Sequence, residues 1–408
     1  MYGSPMRLRT LFAIYLASTA AAICTPFAIH GLAMTRLRMM PVNSEAPLQA
    51  APPQHPLMDP YQKSLMCSAR DGAHYYKSTL STGGVYMSEF GKEFIPDIVV
   101  QACAISWSGN LYLVGKTENQ NWLRSYTPTA ELRWSVERDE NCSSPALSRD
   151  TIYLICMPRS GNTNLIAYDP EGQVRWIFEI GGFDWNPVPP AVAADGTVYI
   201  YSAVQSSPEV IAISPDGQQR WSAPVPARAN DPLPIRVNQL ALSDDGTVLV
   251  SVPFGNVVAF SADGQQLWSF HSGQKVNNGG FVIGPDGTVY FAGGFLYALD
   301  GDGKPKWTFK SELTYIKGDY FDGDLAVGAD GTVYARSYYN QLYAITRDGR
   351  KKWAVNETKP SLPGLTLGID SLHTYMAWYS IKMGSGLAQH GWPSVDHNDR
   401  NDRSLEMP

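Results

Sequence analysis

The chain has 408 residues, 44% of them hydrophobic and 17% charged, with a formal net charge of −6. This is ample material for a globular core and excludes a disordered chain. A negative balance without a long basic run argues against nucleic acid as a partner.

The first residues have the shape of an export signal. Arg7 and Arg9 precede an uncharged apolar stretch from Leu11 to Cys24 that ends in Ala20, Ala21 and Ala22. Residues 1–34 are therefore expected to be a signal peptide, or a membrane anchor if the apolar stretch runs on to Met34. Ile23 stands before Cys24, where a lipid-attachment signal carries a small residue, so Cys24 is not read as an anchor point. Residues 35–60, rich in Pro and Ala, read as a linker. The protein is thus expected to be exported: periplasmic, envelope-associated or extracellular, touching a membrane only through its N-terminal segment.

Beyond the signal lie Cys67, Cys103, Cys142 and Cys156. An even count in an exported chain permits two disulfides, Cys142 with Cys156 across a hairpin and Cys67 with Cys103. Buried free thiols are the other reading. No cysteine and histidine spacing marks a metal site.

Residues 61–385 repeat one unit. Its clearest copy runs from Asp195 to Trp221, DGTVYIYSAVQSSPEVIAISPDGQQRW. An Asp-Gly turn opens a β-rich run, a second apolar run follows, and a second Gly turn leads to Trp. Further copies run from Asp245 to Trp268, Asp286 to Trp307 and Asp330 to Trp353. With the more divergent copies, six tryptophans (Trp134, Trp176, Trp221, Trp268, Trp307, Trp353) close units 39 to 47 residues apart. Strand-and-turn units of that length predict an all-β fold, a β-propeller of four-stranded blades. Each unit reads as an inner strand, an Asp-Gly hairpin, two middle strands and an outer strand bearing the Trp. Leu65 to Phe94 is a worn copy, and Leu365 to Met383 supplies at least two more strands. The count is eight blades, or seven if the two end segments form one.

Residues 386–408 form a polar C-terminal tail. Its His390, Asp396, His397 and Asp399 have no spacing that would aim them at one ion. The acidic turn Asp300-Gly301-Asp302-Gly303 lacks the distal Glu of a calcium loop and reads as a hairpin turn. Glu137, Asp139 and Glu140 read as solvated carboxylates on a connection between blades.

The unit resembles the PQQ-like β-propeller repeat of quinoprotein dehydrogenases and of many non-catalytic propellers. DGTVY and LYALDGDGKPKW (Leu296 to Trp307) carry the resemblance. It implies that the repeated Trp docks one blade on the next. Quinoprotein dehydrogenases also carry a vicinal cysteine pair and an acidic and Asn calcium set. This chain has no adjacent cysteines, so neither cofactor, metal nor catalytic residues are expected. In this repeat, the connections preceding each inner strand lie on one face of the ring. Here they carry Trp185, Arg228, Arg236, Lys275, Tyr315, Lys317 and Tyr320, the candidate binding face.

The reading is therefore an exported, monomeric, non-enzymatic propeller of the PQQ-like type that binds a protein or an envelope polymer through one face. One alternative is a dehydrogenase or sensor using pyrroloquinoline quinone with calcium. A second is a carbohydrate-binding propeller, for which the many Trp and Tyr residues would supply stacking surfaces.

Overall fold

Each repeat unit folds as an antiparallel meander, because the apolar runs are strand-length and the Gly turns reverse the chain between them. The computed structural model describes residues 63–68, 74–78, 84–87, 93–96, 99–356, 365–367, 371–374 and 380–382. Within 99–356 it leaves out 107, 118–119, 159–160, 183–187, 203–207, 227–238, 253–255, 275–279, 315–317 and 340. Side chains are described for 100–355, apart from those gaps and 322–324. All of these residues belong to the unit spanning 43–408. The expected signal or anchor (1–34), the linker (35–60) and the polar tail (386–408) lie outside the described residues.

Among the described residues every named element is a strand, and the strands form eight antiparallel sheets. In chain order the sheets span Lys63–Pro96, Val99–Arg138, Asn141–Glu179, Ala191–Pro224, Gln239–His271, Gly280–Phe309, Phe321–Asn356 and Leu365–Lys382. Six have four strands in chain order. The third adds a short strand, Asn141–Cys142, beside Ile152–Met157, and the eighth has three strands among the described residues. The two end segments form sheets of their own. First strands of most successive sheets touch, as those beginning at Ala191 and Gln239 do, which makes the first strand the inner one.

Burial follows strand position. The second strand Val198–Ser202 and most of the third, Glu209–Ile213, are buried, whereas the outer strand Gln219–Pro224 is mostly exposed. Middle strands covered on both faces lose the apolar and polar alternation of a half-exposed strand. The core is correspondingly not inside any sheet but between sheets. One cluster joins the fourth, fifth and sixth sheets through Val210, Val250, Phe260 and Phe281. Others join the second to the third, the third to the fourth and the sixth to the seventh.

The repeated Trp ties the sheets from the second to the seventh each to the next. The Trp221 indole N–H donates to the Ala262 carbonyl at 2.7 Å, in the last turn of the fifth sheet. Trp134, Trp176, Trp268 and Trp307 do the same to Pro170, Pro215, Gly301 and Arg347. The ring then lies flat on the turn's glycine. A Cβ at Gly264 would stand 2.7 Å from Trp221 Cδ2, and the backbone there has φ +84°, so both space and conformation require glycine. The second sheet has Ala130 at this position, with φ 68°. The preceding sheet has Ile95 in the register position where the others have Trp, opposite Val85 as Trp221 is opposite Ala212. The turn loses its glycine in the unit whose predecessor lacks an indole.

In every sheet from the second to the seventh except the fifth, a tyrosine of the second strand backs the Trp, as Tyr199 does Trp221 with ring centroids 5.8 Å apart. Burial, then the charge of Asp195, pushes the Tyr199 hydroxyl up to about 12, and burial with Asp286 does the same for Tyr290. The folded state therefore keeps these protons above the unfolded value of about 10. Their contribution is intact below pH 10 and is lost as pH rises from 10 through 12, at about 1.4 kcal/mol per pH unit per tyrosine. Urea midpoints should hold between pH 8 and 9.5 and fall steeply from 10 to 12. Tyr199→Phe should flatten that fall.

The disulfide reading can be compared directly. Cys142 and Cys156 are bonded and stand opposite each other in register. Cys103 is also disulfide-bonded, so free thiols are excluded for these three. The side chain of Cys67 lies outside the described residues.

Candidate functional site

In a four-strand meander the first and third turns fall at one end of the sheet. The second turn and the connection to the next sheet fall at the other. The Asp-Gly turns thus share one face, and the second-to-third loops share the opposite face with the connections. That opposite face is where the seven candidate residues map in the chain. Trp185, Arg228, Arg236, Lys275, Tyr315 and Lys317 lie outside the described residues. Tyr320 is described, half-buried, one residue before the inner strand Phe321–Val327.

Tyr320 does not stand alone. Its ring stacks on Tyr338, with centroids 4.8 Å apart and planes 16° apart. Tyr339 meets Tyr338 at 5.5 Å and 86°. Tyr338 and Tyr339 occupy the loop between Val333–Ser337 and Gln341–Ile345, and are 56% and 45% exposed, among the most exposed large apolar side chains of the described residues. The two exposed rings meet at a right-angled corner, a tyrosine notch. The Tyr338 N–H donates to the Tyr320 carbonyl at 2.8 Å, fixing the loop to the connection.

The footing of the notch is a polar network under cover. Asp319 is 1% exposed. Its Oδ1 accepts the Tyr339 N–H at 3.0 Å, and its Oδ2 accepts the Ser311 hydroxyl. Ser311 Oγ lies 3.0 Å from the Tyr343 hydroxyl, which donates to Gln341 Oε1. The Thr314 hydroxyl donates to the Asp319 carbonyl at 2.9 Å. Burial pushes the Tyr343 hydroxyl up, against the opposing Ser311 hydrogen bond. The Tyr343 ring packs edge-on against Phe309 and Phe321, at 5.5 and 5.6 Å. Satisfied buried networks of this kind hold a single arrangement. The notch is a preformed surface, and preformed surfaces lose less ordering entropy on binding.

This arrangement can hold a ligand. It does not offer Asp319 as a proton acceptor, because the carboxylate is covered and both oxygens are engaged. Elsewhere the acidic turn is a hairpin turn as expected: Asp300 Oδ1 accepts the N–H groups of Asp302 and Lys304 within its own turn. Glu140 is not a solvated carboxylate: it is half-buried and faces Arg138 at 3.6 Å. Glu137 is on the outer strand Leu132–Arg138 and not on a connection, because that strand runs one residue past it.

Tyr338 and Tyr339 escape a sequence reading confined to the connections between units. The available signal is position: the Tyr-Tyr pair follows a second strand, where the sixth sheet has Gly294 alone. Asp319 gives no signal of its own.

Antiparallel meanders packed face to face, those from the second to the seventh tied each to the next by an indole on a glycine turn, define a β-propeller of PQQ-like repeats. Residues 161–251 and 253–383, more than half of the chain, match the family model described as outer membrane protein assembly factor BamB. The chain belongs to that family. No curated protein matches it. Among solved structures, BamB from Moraxella catarrhalis is 16% identical, with a TM-score of 0.55 over 78% of this chain and 95% of that one. A streptogramin B lyase is 13% identical, with a TM-score of 0.50 over 71% and 95%. A catalytically inactive virginiamycin B lyase from Staphylococcus aureus with quinupristin is 12% identical, with a TM-score of 0.51 over 71% and 94%. At such identities these structures share the fold alone.

Proposed function

We propose that this protein is an exported, non-enzymatic propeller that binds a protein partner in the cell envelope through its loop face. The tyrosine notch carries the reading: exposed aromatic side chains held on a rigid polar footing are the composition of an interface centre. Family membership supports the setting, since the matched family is described as an outer membrane protein assembly factor. The Cys142–Cys156 disulfide supports an oxidising compartment.

A photo-crosslinking residue at position 338, in the full chain expressed in its host, tests the reading. The same residue at 302, on the exposed turn of the opposite face, is the control. Adducts with envelope proteins are expected from 338 and not from 302. Equal adducts from both, or none from 338, would overturn the assignment of the face. Pyrroloquinoline quinone with calcium should leave the melting temperature unchanged. A bound quinone must raise it by mass action, and a rise would turn the reading toward a quinone-dependent enzyme.

A further inference from the structure

Asp319 has a property that the packing alone does not explain. It is a carboxylate 1% exposed whose partners are Ser311 and the Tyr339 N–H, and no Lys, Arg or His pairs with it among the described residues. Buried carboxylates are ordinarily matched by a cation. Directly above its Oδ1 runs the backbone of the Tyr338–Tyr339 loop. The two rings on that loop stand at 86°, and aromatic faces attract cations through their quadrupole. A negative charge below and two π faces above describe a receptor for a positive group.

We propose that the notch receives an arginine side chain presented by the protein partner. The guanidinium would stack on the Tyr338 and Tyr339 rings, in the field of Asp319. Three observations select this occupant. Asp319 has no cationic partner among the described residues, and a guanidinium above the loop would lie in its field without bonding its engaged oxygens. The rings are perpendicular, so a planar guanidinium can lie on one face and present its edge to the other, which a compact ammonium cannot do. The chain carries a net charge of −6, which favours approach of a basic surface. A sugar is a poorer match. Sugar sites add side-chain acceptors for hydroxyl groups, and here the Asp319 oxygens and Gln341 Oε1 are already engaged. This inference rests on the protein-binding reading above.

The test places 3-fluorotyrosine at position 338 of the full chain and follows its fluorine resonance. The probes are N-acetyl-arginine amide, N-acetyl-citrulline amide (planar but neutral), N-acetyl-lysine amide and chitotriose. Arginine should shift the resonance saturably, lysine less, and citrulline and chitotriose not at all over the same range. Tyr339→Leu should weaken the arginine response about five-fold, while Tyr339→Phe, which keeps the π face, should stay within about two-fold. Asp319→Asn should also weaken it. Should that variant not fold, the Tyr339 pair decides alone, because its side chain is exposed. Equal shifts with citrulline, a saturable response to chitotriose, or an unchanged response in Tyr339→Leu would each overturn the proposal. If arginine fails while crosslinking from 338 still captures a partner, this inference falls and the scaffold reading stands. If arginine binds and crosslinking fails, the scaffold reading falls and with it the protein partner as the source of the arginine, leaving guanidinium binding at the notch alone.

Discussion

Trp221→Ala is expected to lower stability by about 3 kcal/mol, the lower end for loss of a large aromatic because the ring is half-buried. The loss joins two causes. The indole leaves the cluster that spans the fourth to sixth sheets, and its hydrogen bond to the Ala262 carbonyl disappears. Gly264→Ala attacks the same contact from the other side. Its left-handed backbone alone costs roughly 1–2 kcal/mol for alanine. The new Cβ, 2.7 Å from the ring, displaces the indole as well. In the Trp221→Ala background that second cost vanishes and only the backbone cost remains. The two substitutions should therefore be less than additive by about 1–2 kcal/mol, which urea unfolding of the four proteins would measure. Strict additivity would mean that the ring and the glycine do not act as one joint. The second sheet bears on the same point. Ala130 holds a left-handed conformation without an indole above it in the register, so Ala130→Gly should raise stability by up to about 1 kcal/mol.

The joint also explains what the sequence could and could not reveal. Trp221, Gly264 and Tyr199 recur at fixed places because most units solve the same packing problem with the same three residues. Periodicity exposes them, and with them the fold. The worn first unit is legible for the opposite reason: it lacks Trp, and its successor has Ala130 in place of glycine. The notch is different in kind. It occurs in one sheet, so no repeat announces it. Asp319 is buried by Ser311, 8 residues earlier, and bonds the backbone of Tyr339, 20 residues later. A lone Asp between Gly318 and Tyr320 looks like any loop acid until the fold brings those segments together. Tyr320 was visible as an aromatic on a connection. Its partners sit on a hairpin loop, and only the alternation of strand direction places both at one end of the sheet.

Removing the Cys142–Cys156 disulfide is expected to cost about 3 kcal/mol, the loop-closure value for a crosslink of this length, here 14 residues. The double variant Cys142→Ala, Cys156→Ala avoids placing a hydroxyl at Cys156, which is 1% exposed. The structural consequence should be local as well as global. The inner edge of the third sheet is broken between Asn141–Cys142 and Ala146–Leu147, and the disulfide clamps the outlying piece to the second strand. Ser143 depends on that clamp: its N–H donates to the Ile155 carbonyl at 2.8 Å, and its hydroxyl accepts the Ile155 N–H at 3.1 Å. Without the bond, Asn141–Ser143 can lift away and leave the buried Ile155 amide without its partner, which adds to the entropic loss. Hydrogen exchange should then accelerate at Ile155 well before global unfolding, while exchange at Ile211 in the fourth sheet follows global stability only. A lowered urea midpoint with no selective loss at Ile155 would assign the disulfide a purely entropic role. An unchanged midpoint would mean that the third sheet holds its inner edge by packing alone.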